Sequence, residues 1–224
     1  MTTELPYIHP SMPATVPLAL KSNEELGSNA QPPTRERPIL FSAPMVRAIL
    51  DGTKTQTRRA VKGWALEWLQ PGMFTPEYVA MPENGACPYG KLGDRLWVRE
   101  SGCIALDKSA WMFSDRGGKL GPTAPKDSKH WCRTWKSCPS IHQPRWASRI
   151  TLEVTGLRVE HLQEISRGDA MAEGCPFPNM AQGEDPRQWY ATLWDQINGV
   201  GSWDANPWVW VVEFRRCSTL LPNV

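Results

Sequence analysis

The run Gly52-Thr53-Lys54-Thr55-Gln56-Thr57-Arg58-Arg59 places a lysine, hydroxyl side chains and arginines within a few residues. Read as an extended segment, it puts Lys54, Gln56 and Arg58 on one face and Thr55, Thr57 and Arg59 on the other. A twist or bulge near Gly52 would bring Lys54 and Thr57 to one site. A lysine stripped of water loses proton affinity, because desolvation disfavours its charge. It can then act as a base that activates a hydroxyl or a water. The same run also reads as a solvated basic strand, and the segment alone leaves both readings open.

Glu173 is a second candidate. It follows Ala170, Met171 and Ala172 on an expected short helix, and such small neighbours let another segment approach closely. A carboxylate beside a lysine suits proton transfer to a leaving amine. The plainer reading is a surface glutamate near a helix end.

His130-Trp131-Cys132, with Cys138 and His142, has zinc-ligand residue types. The cysteine spacing is looser than the tight pairs of structural zinc sites, so free thiols in a Trp-rich loop are the expectation, with zinc as the alternative. The stretch 139–149 interleaves Arg145, Trp146 and Arg149. Such sets stack bases and hold phosphates; they equally describe a core tryptophan rimmed by arginines.

These residues need elements to position them. A short strand is expected at Pro38-Ile39-Leu40-Phe41. Ser42 and Pro44 then open a helix over 43–51, with Met45, Val46, Ile49 and Leu50 at helical spacing and Gly52 as its stop. Trp64 and Trp68 fit a helical turn. Gly93-Asp94 turns into a strand over 95–100, with Leu96 and Val98 on one face. Residues 101–145 read as an irregular, functional loop. Ser148 to Thr155 alternates as a strand. Ser166 and Asp169 form a near capping box that starts the helix bearing Glu173, which stops at Gly174. Residues 186–197 carry Trp189, Leu193, Trp194 and Ile197 at helical spacing. The dense β-branched and aromatic run Trp208–Glu213 is the last strand. The pattern predicts an α+β domain, a small mixed β-barrel with short peripheral helices.

The chain of 224 residues fits one domain with additions. Residues 1–36 are Pro-rich and lack an apolar period, so they read as a flexible arm. The domain is expected over 37–217, with insertions at 63–90 and 101–145 and a tail at 218–224. Twelve Trp and 21 Pro are unusual. Most prolines fall in the arm and insertions. Trp189, Trp194, Trp208 and Trp210 are expected in the core. Trp111, Trp131, Trp135 and Trp146 are expected beside a pocket. No apolar run approaches the ~18 residues of a membrane span, and six scattered Cys suit a reducing, cytoplasmic setting. The net charge of +2 hides a split: residues 151–224 carry 5 basic and 10 acidic side chains, against 20 and 13 in residues 1–150. A basic half attracts phosphates; it also neutralises an acidic half across one fold.

Taken together, Gly52, Lys54, Thr57 and Arg59, the Gly93-Asp94 turn, the strand at 150–154, the Ala170-x-x-Glu173-Gly174 helix and the closing strand resemble ASCH domains. Residues 139–149 and the insertions resemble a longer version found among phage and prophage proteins. The resemblance implies a PUA-like mixed barrel. It also implies an activity, since some ASCH proteins are amidohydrolases that deacetylate 4-acetylcytidine with a Lys, a Thr and a Glu. These fall on Lys54, Thr57 and Glu173. On this reading Lys54 is the general base, and Thr57 is the nucleophile or orients the attacking water. Glu173 holds Lys54 and carries a proton to the leaving amine. Arg59 or a backbone N–H meets the oxyanion, and Trp97 or Trp146 stacks the base. Glu100 and Arg145 complete the expected substrate contacts. The expected partner is a modified cytidine nucleoside or RNA, and no cofactor or metal is required. Other ASCH members are thought to bind RNA and a few to cut it, so a non-catalytic RNA or modified-base binder and a ribonuclease are the alternatives.

Overall fold

The computed structural model describes residues 34–113, 135–177 and 185–217. The elements are β1 (Glu36–Leu40), α1 (Ala43–Leu50), β2 (Gln56–Ala60), α2 (Trp64–Trp68), α3 (Pro76–Ala80), β3 (Arg95–Arg99), β4 (Gly102–Ala105), β5 (Trp111–Phe113), β6 (Trp135–Cys138), β7 (Thr151–His161), α4 (Arg167–Ala172), α5 (Pro186–Asn198) and β8 (Trp208–Arg216). Several 3₁₀ turns link them.

β8 organises the domain. It lies between β7 and β2 in a five-stranded sheet of order β1-β3-β7-β8-β2. A strand covered on both faces reads as a continuous apolar run rather than an alternation, and Val209, Trp210, Val211 and Val212 are all buried. Its two faces meet different cores. Trp210, Val212 and Phe214 join Ile39, Val46, Ile49, Leu96, Leu152 and Val154. Val209 and Val211 join Leu162, Ile165, Ala170, Tyr190 and Trp194. One side therefore takes α1 and the 63–90 insertion, and the other takes α4 and α5.

All pairings in this sheet are antiparallel except β1 with β3, which is parallel. The result is the α+β, mixed-sheet architecture that the sequence predicts. Backbone pairing does not join β1 to β2 among the described residues; instead, Arg59 Nη2 donates to the Leu40 carbonyl at 2.6 Å.

Local chemistry sets most boundaries. Pro44 lies in the first turn of α1, and Val46 and Ile49 are its buried face. Ser42 occupies the N-cap position, but its side chain makes no capping bond, contrary to the expected cap. The Ser166–Asp169 capping box forms with both arms in place.

Residues 101–145 correct the sequence reading. Their described part is not an irregular loop but contains a three-stranded antiparallel sheet, β5-β4-β6. Its strands are only 3–4 residues long, and β5 and β6 are far apart in sequence. Runs that short carry no usable periodicity. Residues 1–33 of the expected arm (1–36), Trp131 and the tail at 218–224 lie outside the described residues, and Glu36 is the first residue of β1. Among the described residues no helix is long and apolar enough to cross a membrane.

Candidate active site

Two local devices bring Lys54 to Glu173. After α1, the Lys54 amide donates to the Ala48 carbonyl at 3.1 Å, turning the chain back over the helix. From the other side, α4 ends at Glu173, whose N–H still donates to the Asp169 carbonyl at 2.9 Å. Gly174 then takes φ +95°, and a Cβ there would sit 3.0 Å from Ala48 Cβ and 3.2 Å from Lys54 Cβ. A glycine supplies both the left-handed turn and the close approach. Lys54 and Glu173 consequently pair as an isolated antiparallel bridge, next to a Thr55 N–H bond to the Ala172 carbonyl at 2.8 Å.

The side chains complete the contact. Lys54 Nζ donates to Glu173 Oε2 at 2.6 Å and to the Glu173 carbonyl at 2.9 Å. The Lys54 side chain has no exposure and that of Glu173 is 2% exposed. Arg58 Nη1 donates to the other carboxylate oxygen, Oε1, at 3.3 Å. Arg58 in turn donates to Glu160 through Nε at 3.1 Å, and its Nη2 lies 3.3 Å from Asp169 Oδ2. Gln56 Nε2 donates to the Asp169 carbonyl at 2.9 Å. Lys54, Gln56 and Arg58 all engage the segment running from Asp169 to Glu173, as expected of one strand face.

Burial sets the electrostatics. It pulls the Lys54 pKa below the ordinary lysine value, outweighing the attraction of Glu173, and Arg59 and Arg58 add to the depression. Burial also pushes the Tyr190 hydroxyl well up, with the Glu173 charge acting in the same direction. Tyr190 therefore keeps its proton and remains a donor.

Thr57, Arg58, Arg59, Glu173, Tyr190 and Trp194 line one cavity of about 40 Å³. That volume holds a few waters or a small acyl group; it is far below the ~300–1,000 Å³ of sites that enclose a whole ligand. Two donors on these lining residues, Arg59 Nε and the Trp194 indole Nε1, are buried without a hydrogen-bond partner among the described residues. Buried unpaired donors cost about 1–3 kcal/mol each and are uncommon; neither atom has surface open to the cavity.

The structure thus places Thr57, Arg59 and Glu173 around one cavity, whereas Lys54 lines a separate one with Gly52, Thr55 and Phe214 and is linked to the first through its bond to Glu173. The other sequence candidates lie elsewhere. Trp97 is only 8% exposed, on the face of β3 opposite the core residues Leu96 and Val98. Arg99 and Arg145 lie over its ring, 4.6 and 5.9 Å from the centroid. Glu100 is buried and ion-paired to Arg149 at 2.7 Å, and its N–H donates to Gln143 Oε1 at 2.7 Å. Arg145 pairs with Glu36 at 2.8 Å on the surface. Trp146 is 57% exposed on a 3₁₀ turn. None of these four lines the cavity.

Sequence reasoning missed Arg58 as the second cation on Glu173, and it missed Tyr190 altogether. Trp194, expected only as core, borders the cavity, whereas Trp111, expected at a pocket, is buried at the small sheet. The signal for Tyr190 and Trp194 was their i, i+4 spacing on α5, which puts them on one helix face. As for zinc, no cluster of three or more His, Cys, Asp or Glu is poised for a metal among the described residues. His130 and Cys132 lie outside them.

No protein-family model and no curated protein matches the sequence. Among solved structures, the ASCH domain from Lactobacillus crispatus JV V101 is similar at 11% identity, with 81% of this chain and 79% of that chain covered and a TM-score of 0.39. A likeness at that level leaves the reading of the site to its own geometry.

Proposed function

We propose that the protein is an amidohydrolase that removes an acyl group from the exocyclic amine of a cytidine-type nucleoside, with 4-acetylcytidine as the type substrate. One observation carries this reading: a fully buried lysine of depressed pKa is bonded to a carboxylate that lines a small cavity with a threonine. The order of Gly52, Lys54, Thr57, Arg59 and Glu173, which resembles ASCH domains, supports it.

In the proposed reaction, neutral Lys54 is the proton sink, reached from the cavity through Glu173. Either Thr57 Oγ1 or a water held by it attacks the acyl carbon. The electron pair of the C=O moves onto oxygen, and Arg59, which lines the cavity, supplies the donor to it. Collapse of the tetrahedral adduct breaks the C–N bond. Glu173 returns the proton to the leaving amine. If Thr57 is the nucleophile, water then cleaves the acyl ester; the products on either route are the carboxylic acid and the cytidine.

A purified sample incubated with 4-acetylcytidine should release cytidine, and Lys54→Ala should abolish the release. A folded wild type that leaves the substrate intact, or a Lys54→Ala variant at full rate, overturns the reading. The small cavity volume is what favours the alternative, a non-catalytic binder of RNA or a modified base. That alternative predicts salt-dependent RNA binding without turnover.

A further inference from the structure

A nucleoside does not fit the 40 Å³ cavity, but a groove of about 440 Å³ adjoins it. The two share Arg59, Ala60 and Asn198 as lining residues. The groove lies against the first insertion, and Lys62, Trp64 and Tyr89 line it together with Arg59, Asn198 and Trp210. Two of these are cations, and no carboxylate lines it among the described residues. Its volume falls within the range of ligand-sized sites.

We infer that this groove binds the base, sugar and phosphate of a cytidine nucleotide, leaving the acyl amide to enter the cavity at Arg59. Trp64 is 46% exposed and is held by an edge-on contact with Trp68, ring centroids 4.8 Å apart. It offers an aromatic surface on which a base stacks. Lys62 is exposed at the groove and meets a phosphate as a mobile point charge. Arg59 stands at the junction. Its Nη2 is committed to Leu40, and its side chain borders both the cavity and the groove.

The Pro88-Tyr89 part of the lining is held in place by the fold. Arg37 Nη1 donates to the Pro88 carbonyl at 3.1 Å, and Tyr89 packs against the main core. Gly90 has φ +97°, and a Cβ there would lie 2.5 Å from Asp94 Oδ2, so the chain can follow this path only with glycine. The preferred substrate is accordingly a phosphorylated cytidine, as a single nucleotide or within an RNA strand, rather than the neutral nucleoside. The acyl placement rests on the amidohydrolase reading; the affinity of the groove for a nucleotide does not.

The test has a binding arm and a turnover arm. Cytidine, cytidine 5′-monophosphate and a short cytidine-containing oligoribonucleotide are titrated into wild type, Lys62→Ala, Lys62→Glu and Trp64→Ala. Near-UV circular dichroism checks that each variant is folded. The groove predicts that the phosphorylated ligands bind at least fivefold more tightly than cytidine. It also predicts that Lys62→Ala removes most of that preference with a shallower salt dependence, and that Trp64→Ala weakens binding about tenfold. Stronger binding of the oligoribonucleotide than of the monophosphate identifies a strand as the source. Equal affinity for cytidine and its monophosphate, or identical ligand affinities in wild type and both Lys62 variants, overturns the groove. In the turnover arm, 4-acetylcytidine and its 5′-monophosphate are compared by kcat/KM. Hydrolysis of both with no preference for the phosphate sinks the groove and keeps the amidohydrolase. Nucleotide binding that depends on Lys62, without hydrolysis, does the reverse.

Discussion

The Lys54–Glu173 centre and the Arg145–Trp146 segment use the same kinds of side chain in opposite surroundings. At the first, a lysine and an arginine converge on one carboxylate with almost no solvent exposure. Every partner is fixed by an element: Lys54 by the turn after α1, Arg58 by β2, Glu173 by the end of α4. At the second, the Arg145 and Glu36 side chains are 43% and 36% exposed, on a 3₁₀ turn and the first residue of β1. Water competes for each partner there, so the pair contributes little. In the buried centre each charge depends on the others, because removing one leaves another stranded in low dielectric. Arg145 also lowers the Glu36 pKa through its hydrogen bond, but a lysine whose proton affinity is depressed by burial, and so suited to act as a base, occurs in the buried region.

The largest effect that could break this comparison is on turnover. Lys54→Met keeps the apolar stem and removes the base, and should lower kcat on 4-acetylcytidine by about 10²–10⁴-fold. Next comes stability. Glu173→Ala takes the carboxylate from both Lys54 and Arg58, and should cost about 3–5 kcal/mol in urea unfolding. A loss under about 1 kcal/mol would place the centre with surface pairs.

The pH profile sharpens the picture further. Activity needs neutral Lys54, so kcat/KM should rise with pH through a pKa below the ordinary lysine value. Glu173 raises that pKa, so in Glu173→Gln the limb should move to lower pH even as the rate falls. Stability has the same sign. Between the lowered native pKa and the unfolded one, only the unfolded chain holds the proton, so unfolding becomes harder as pH rises. This rise should be absent in Lys54→Met. The smallest effect is on the surface: removing Trp146 as Trp146→Ala should change stability by less than about 0.5 kcal/mol.

Much of the scaffold was legible in local patterns. The helix over 43–50, the Ser166–Asp169 box and the apolar run of β8 each follow from a few adjacent residues. The shared face of Lys54, Gln56 and Arg58 was legible from strand alternation alone. Which of them meets Glu173 was not, because that contact joins residues 119 apart and depends on Gly174 letting two backbones close together. Residue types offered Glu173 as a carboxylate suited to a lysine, and the resemblance to ASCH domains joined it to Lys54.

The tryptophans show the same limit. Composition marks them as unusual, but burial depends on strand order. Trp97 disappears into β3, and Trp194 emerges beside a cavity because α5 packs over β2 and β8. The small sheet of the second insertion stayed hidden for a different reason, since its strands are too short to carry a period.

On the proposed reading Lys54, held by Glu173, is the base for hydrolysis of an acylated cytidine. Cytidine release from 4-acetylcytidine, followed across pH for wild type and Lys54→Met, tests it directly. Wild type is expected to release cytidine at a rate that rises with pH through a pKa below that of an ordinary lysine, with a loss of at least about a hundredfold in the variant. No release by folded wild type, or an unchanged rate in Lys54→Met, would contradict it.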